Sequence, residues 1–280
     1  MKTLSDDKMK NEQKQYSNIN INELLEQGRK IVTFIGCSES GTSFIINNLA
    51  ELLAIKGLNV AVLDATKNKS SYYIYTKNEE ELQKIAINSM ENLSNGIAKG
   101  IKVNENMTVY TAMPGNSKFL ENASLILETL VRNHTLVLVD CDFETPVEYF
   151  EYSQNIFLVQ TMNMLKIQPF TEILARLEDK GALDIRKLKI IINKYIKIPG
   201  ITEKEIIGAL AFYNDPTKSY MKQLFNKETI EYMVIPFDQA NYIKYLQRVS
   251  NSSKLSIRDY STDLINLLEQ LGDNIYPFIQ

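Results

Sequence analysis

The chain has 280 residues, 44% hydrophobic and 23% charged, enough to bury a full core as one large domain or two small ones. Its formal net charge of -3 argues against a strong nonspecific grip on nucleic acid. It has no apolar run of about eighteen residues to span a bilayer, and MKTLSDDKMKNEQKQYSNIN lacks the apolar segment and cleavage site of a signal peptide, so a cytoplasmic protein is expected.

Residues 1–20 read as a polar, mobile arm, and INELLEQG after them as a short amphipathic helix that Gly28 can terminate. Residues 1–28 are thus set apart from a single domain over 29–280. Strand-like runs then alternate with helical patterns: KIVTFIG, the helix SFIINNLAELLAIKG, LNVAVLD, a helix from about Asn78, MTVYTAM, a helix from about Leu120, and TLVLVD. NIFLVQT, KLKIIIN and YMVIPF continue the series. Short, continuously apolar runs between helices mark a sheet covered on both faces. The expected architecture is α/β and doubly wound, with a mostly parallel sheet. No internal repeat and no Pro- or Gly-rich linker divides it. Cys37 and Cys141, the two cysteines, make no disulfide framework, which agrees with a reducing compartment.

In such sheets ligands bind where the carboxyl ends of strands lead into helix N-termini. Gly36 ends an apolar strand, Gly41 follows five positions later, and Ser43 opens a helix with apolar residues at Ile45, Leu49, Leu52 and Leu53. A glycine-edged turn of this kind aims backbone N–H groups and the positive helix end at a phosphate. The spacing is that of a phosphate-binding loop, except that Thr42 stands where its lysine belongs. TLVLVDCD then places Asp140 at a strand end, where such proteins keep the acid that orients magnesium; a plain strand-end cap is the alternative.

With the order of pieces through LKIIINKY and VIPFD, the sequence resembles the ParA/MinD superfamily of deviant phosphate-loop ATPases, a SIMIBI-class group. NLAELLAIKGLNVAVLDA is similar to that family's first helix and second strand, and VIPFDQANYIKYLQ to its late Ile-Pro-x-Asp segment. The resemblance spans roughly residues 29 to 270 and rests on order and pattern more than on exact residues. MTVYTAMPG and its following helix resemble the CpaE/TadZ branch, which helps place pili and secretion machines. The resemblance implies ATP or ADP with Mg2+ as cofactor, held weakly if at all. Gly36, Ser38, Gly41, Thr42 and Ser43 would form the phosphate cradle, Ser43 and Asp140 the metal pair, and Asn193, Pro236 and Asp238 the adenine side. It also implies a homodimer and a protein partner in a membrane-associated machine.

The departures concern the reaction itself. Cys37 and Thr42 occupy the positions of the family's two loop lysines, and Asp64-Ala65-Thr66 puts a threonine where the later carboxylate of an Asp-x-Asp positions the attacking water. Clamping cations supply several kcal/mol of transition-state stabilisation, so no catalytic residue is assigned and hydrolysis is expected near background. The expected function is a catalytically impaired positioning or scaffold subunit of a pilus, secretion or conjugation machine. The alternative is an active partitioning ATPase with replacement residues, for which Lys67 and Lys69 are candidates if they are not simply solvated loop lysines.

Other patterns weigh less. GCSES approaches the nucleophile elbow GxSxG, but Ser40 replaces the second glycine, and the sole histidine, His134, precedes Asp140 instead of coming last; it reads as a helix C-terminal residue favourable to the dipole. The stripe Leu264, Leu267, Leu268 and Leu271 near the C-terminus lacks the basic residues of a membrane-surface helix and reads as a packing or partner helix. Tyr72, Tyr73 and Tyr75 form a packed cluster or a partner surface. Adjacent strands would bring Cys37 and Cys141 close at the site, with Cys37 favoured as thiolate by the helix N-terminus.

Overall fold

The computed structural model describes residues 20–77, 79–115, 121–251 and 256–277. The polar arm expected over residues 1–20 lies outside them except for Asn20, as do the expected helix starts at Asn78 and Leu120. Helix α1 (Ile21–Glu26) is capped by the Asn20 side chain, buries Ile21 and Leu24, and leaves through Gly28 at φ 87°.

Eight strands form one sheet in the order β10-β7-β6-β1-β5-β2-β4-β3. They are β1 (Lys30–Gly36), β2 (Val60–Asp64), β3 (Ile101–Asn104), β4 (Met107–Tyr110), β5 (Leu136–Cys141), β6 (Asn155–Gln160), β7 (Leu188–Tyr195) and β10 (Glu231–Pro236). All pairings are parallel except that of the edge strand β3 with β4. A separate hairpin, β8 (Phe212–Asp215) and β9 (Tyr220–Gln223), stands between β7 and β10 in the chain.

The apolar runs are continuous because both faces are covered. Ile31 and Ile35 of β1 enter one core and Val32 and Phe34 the other; β5 divides its side chains in the same way, Val137 and Val139 against Leu136 and Leu138. The first core is closed by α1, α5 (Ala123–Asn133), α6 (Glu148–Glu151), α7 (Ile167–Asp179) and α8 (Glu203–Leu210). The second is closed chiefly by α2 (Thr42–Ile55), α3 (Ser70–Thr76) and α10 (Thr262–Ile275). Helix α4 (Glu80–Ser94) adds Met90 and Leu93 to the first core and Ala86 to the second, and α9 (Gln239–Ser250) follows β10 in the chain. The stripe on α10 is a packing face: Leu264, Leu268 and Leu271 are buried, and a Cβ on Gly272 would stand 3.0 Å from Leu53 of α2.

His134 corrects an expectation. It ends α5, but its ring is buried, with Nε2 2.8 Å from the Tyr110 hydroxyl and Nδ1 2.8 Å from Asn59 Oδ1. Burial, aided by the Arg29 charge, pushes its pKa down to about 4, so the ring is neutral at pH 7 and gives no cation to the helix end. Between about pH 6.5 and pH 4 the unfolded chain takes up a proton that the folded chain refuses, so stability falls on acidification. The expected slope reaches about 1.4 kcal/mol per pH unit, and urea unfolding from pH 7 to pH 5 should show it in the native chain and lose it in His134→Gln.

Candidate functional site

β1 lies between β5 and β6, while the chain continues from it to β2 on one side only, so the winding reverses at β1. A crevice opens there at the carboxyl ends of the strands. The loop from Gly36 to the start of α2 occupies it. Glu39 (φ 71°) and Gly41 (φ 84°) turn through left-handed backbone, and a Cβ on Gly41 would stand 2.4 Å from Asn193 Nδ2. That amide of β7 donates to the Ser40 carbonyl at 2.7 Å, and the next residue, Lys194, donates its Nζ to the Glu39 carbonyl at 2.8 Å. The end of β7 therefore holds two successive loop carbonyls.

Thr42 is turned into the loop. Its hydroxyl is 2.8 Å from Ser40 Oγ, and both side chains are buried against Gly36, where a Cβ would meet Thr42 Oγ1 at 1.8 Å and Ser40 Oγ at 2.4 Å. The position expected to carry a cation thus fills the loop with a hydroxyl pair. Ser43 points elsewhere: its Oγ donates to Asp140 Oδ2 at 2.6 Å, joining the start of α2 to the end of β5. The first turn of α2 leaves backbone N–H groups with no acceptor inside the helix, and these face the same crevice as an anion-favouring end.

Two carboxylates sit side by side beneath the loop. Asp64 and Asp140 are direct neighbours in the parallel register of β2 and β5, and both are buried. Burial first, then the charge of Asp64, hold the Asp140 carboxyl well above its usual range, with the Ser43 hydrogen bond opposing them. Asp64 Oδ1 accepts from Thr66 N–H at 3.2 Å and Thr66 Oγ1 at 2.7 Å, and Oδ2 from Ser71 N–H at 2.9 Å. The Thr66 hydroxyl proton is therefore committed to Asp64.

The expected replacement lysines take other roles. Lys67 is exposed and ion-paired with Glu144 at 2.8 Å. Lys69 is buried, which corrects the reading of a solvated loop lysine; its Nζ donates to the Asp64 carbonyl at 2.8 Å. Burial lowers its pKa, opposed by the charges of Asp64, Asp142 and Asp140 that it in turn compensates.

The crevice is a cavity of about 890 Å³, lined by the residues expected to form the phosphate cradle, the metal pair and the adenine side: Gly36, Ser38, Gly41, Thr42, Ser43, Asp140, Asn193, Pro236 and Asp238. Asp238 also caps α9, accepting from Asn241 N–H at 3.0 Å. Sequence reasoning missed Lys166 and Lys194, which line it as well. Lys166 follows β6 after a short turn and Lys194 lies near the end of β7, and only the sheet order brings β6 and β7 to the loop's side.

The cysteine expectation needs correction. Cys141 is the last residue of β5 and stands opposite Ile35, so Cys37 lies two residues beyond its register position. Burial raises the Cys37 thiol and pushes Cys141 well up, so burial outweighs the helix end and both remain protonated thiols at neutral pH.

No family model matches the sequence, and no curated protein does. Solved structures do match. A ParA family ATPase of Chlorobium tepidum TLS is 16% identical, over 86% of this chain and 97% of that one, with a TM-score of 0.62. A protein assigned to plasmid partition in Borrelia burgdorferi B31, bound to AMPPNP, is 17% identical over 88% and 100%, with a TM-score of 0.60. The septum site-determining protein MinD of Pyrococcus horikoshii OT3, complexed with Mg-ADP, is 14% identical over 87% and 96%, with a TM-score of 0.55. The chain has the fold of the ParA/MinD ATPases.

Lys69 offers a direct test of how the acidic strand ends are held. Lys69→Met leaves a buried carboxylate pair without its cation, and the expected loss of stability is about 3 kcal/mol, read as a lower urea midpoint at pH 7. The exposed Lys67→Met serves as a control and should cost less than about 1 kcal/mol.

Proposed function

We propose that this chain is a ParA/MinD-like protein that holds a magnesium nucleotide weakly, does not turn it over, and works through dimerisation and protein contacts as a positioning or scaffold subunit of a pilus, secretion or conjugation machine. One observation carries the nucleotide part: Ser43 and Asp140 are in contact at 2.6 Å while Thr42 is folded into the loop. A hydroxyl and a carboxylate are the hard oxygen donors that suit magnesium, and the N–H groups at the start of α2 suit phosphate. The donor set therefore fits a magnesium nucleotide. Bound there, the metal would neutralise phosphate charge beside Asp140. AMPPNP and Mg-ADP in two proteins of the same fold support that ligand class.

Turnover is a separate matter. The Thr66 hydroxyl bonds Asp64 Oδ1, and Asp142, the nearest further acid at the β5 end, accepts from Lys67 N–H at 2.7 Å and Glu144 N–H at 2.9 Å. Neither is poised to orient a water. A protein that binds a nucleotide without consuming it has that ligand as a structural element, which suits a scaffold better than a motor. The kind of machine rests on the likeness of MTVYTAMPG to the CpaE/TadZ pattern. No helix among the described residues is long and apolar enough to cross a membrane.

Steady-state phosphate release from ATP is expected at the level of the buffer blank; release at ordinary ATPase rates that Asp140→Ala abolishes would overturn the non-hydrolysing reading. Thr42→Lys is expected to tighten a fluorescent ATP analogue by about tenfold, through a charge-assisted bond to phosphates already met by N–H groups. A folded variant with no gain would show that the loop does not present those groups to phosphate.

A further inference from the structure

The loop itself carries no cation, yet two lysines reach it from the neighbouring strands. Lys166 closes the short turn after β6, and Lys194 lies near the end of β7. Because β1 pairs with β6, Gly36 opposite Val159, whatever follows β6 comes to lie beside the loop. Both lysines line the cavity, and both charges bear on the Cys37 thiol, lowering its pKa against the effect of burial. That places them around the position from which one loop lysine is missing.

Neither ammonium is neutralised. Among the described residues, no ion pair is formed by Lys166 or Lys194, although both are only partly exposed. Lys194 Nζ gives a proton to the Glu39 carbonyl and stands 5.5 Å from the Tyr242 ring centroid, which leaves it further protons to donate. Of the acids lining the cavity, Asp140 is engaged by Ser43, Asp142 by Lys67 N–H and Glu144 N–H, and Asp238 by Asn241 N–H at the start of α9; Glu39 and Asp263 line it too, and neither forms an ion pair with Lys166 or Lys194. Sheet order adds the last element. The cations come from the β6 and β7 side of β1, and the Ser43–Asp140 pair from the β5 side, so they flank the loop from opposite directions.

On the reading that this cavity takes a nucleotide, we propose that Lys166 and Lys194 are its phosphate clamp, relocated from the loop to the ends of β6 and β7. A polyphosphate lying across the α2 N-terminus would then meet the metal pair on one flank and two ammonium groups on the other. Each charge-assisted contact is of the size that shifts affinity about tenfold or more.

The test is a titration of the full chain with a fluorescent ATP analogue in magnesium, with inorganic tripolyphosphate as competitor. Lys166→Gln and Lys194→Gln are each expected to weaken both ligands about tenfold, Lys166→Arg and Lys194→Arg to retain most of the affinity, and Thr42→Lys to recover binding in the double Gln variant. Acetylation of the native chain, read by mass spectrometry, gives the same answer without any variant: ATP should protect Lys166 and Lys194 and leave Lys218, on the β8–β9 turn, as reactive as before. If the native chain binds neither ligand, the nucleotide reading and the clamp fall together. If it binds both but the Gln variants bind equally well, or ATP protects neither lysine, the clamp alone is overturned.

Discussion

Burying two carboxylates on adjacent strands is the constraint around which this molecule is organised. Asp64 and Asp140 face one another across β2 and β5 with no exposed surface to speak of, and charge in such a place needs donors. The segment after β2 supplies them: Thr66 through backbone and hydroxyl and Ser71 through its N–H, while the buried Lys69 ammonium, bonded to the Asp64 backbone carbonyl, adds its charge. Lys69 takes a left-handed backbone (φ 49°) to do so, and its carbonyl then opens α3 through Tyr72 N–H at 2.9 Å. Asp140 is served from the other side by Ser43. The two acids thus fix where α2 and α3 begin, and with them the floor of the cavity.

The same constraint accounts for the altered chemistry. A second carboxylate at position 66 would add a third acid beside this pair, whereas a threonine hydroxyl donates to Asp64 and lowers the cost of burying it. The loop follows a similar logic. With threonine at position 42, the hydroxyl turns inward, bonds Ser40 and closes over Gly36, a packing that a lysine stem could not adopt. Asn193 and Lys194 then hold the loop's carbonyls from outside. The phosphate-loop course persists because β7 braces it, in the absence of any lysine reaching through it.

How much of this was legible depended on the kind of signal. The seven parallel strands were readable because continuous apolar runs between helices have one physical cause, and β1, with side chains alternating between two cores, shows that cause directly. The edge strand β3 and the β8–β9 hairpin were not, since exposed residues such as Lys102 and Met221 and the half-buried Tyr213 carry no such run. Helix α3 is seven residues between two left-handed lysines, Lys69 and Lys77, too short for periodicity to declare it. In the candidate site, motif spacing led to Gly36, Ser38, Gly41, Thr42, Ser43 and Asp140, which line the cavity. It missed Lys166 and Lys194, because a single charge at or beyond a strand end has no pattern and only topology brings it to the loop. Asn193 was found, but in an unforeseen role: the absence of a Cβ at Gly41 lets its amide reach the loop backbone.

The contact between Ser43 and Asp140 is by itself weak evidence for a reaction. The Ser43–Asp140 bond satisfies a carboxyl that would otherwise be buried without a partner, and it anchors the first turn of α2 to the sheet, so the fold requires it whether or not a nucleotide ever binds. A hydrolytic water, by contrast, needs a carboxylate with a free lone pair, and that group does nothing for stability. Binding lies between these extremes. It needs charge and donors near the helix N-terminus but no fixed source for them, and lysines from β6 and β7 can take over from lysines in the loop at no cost to the core. Groups required by the fold are held in place whether or not a ligand binds, groups required for binding can come from more than one strand, and groups required only for turnover have no structural reason to be kept.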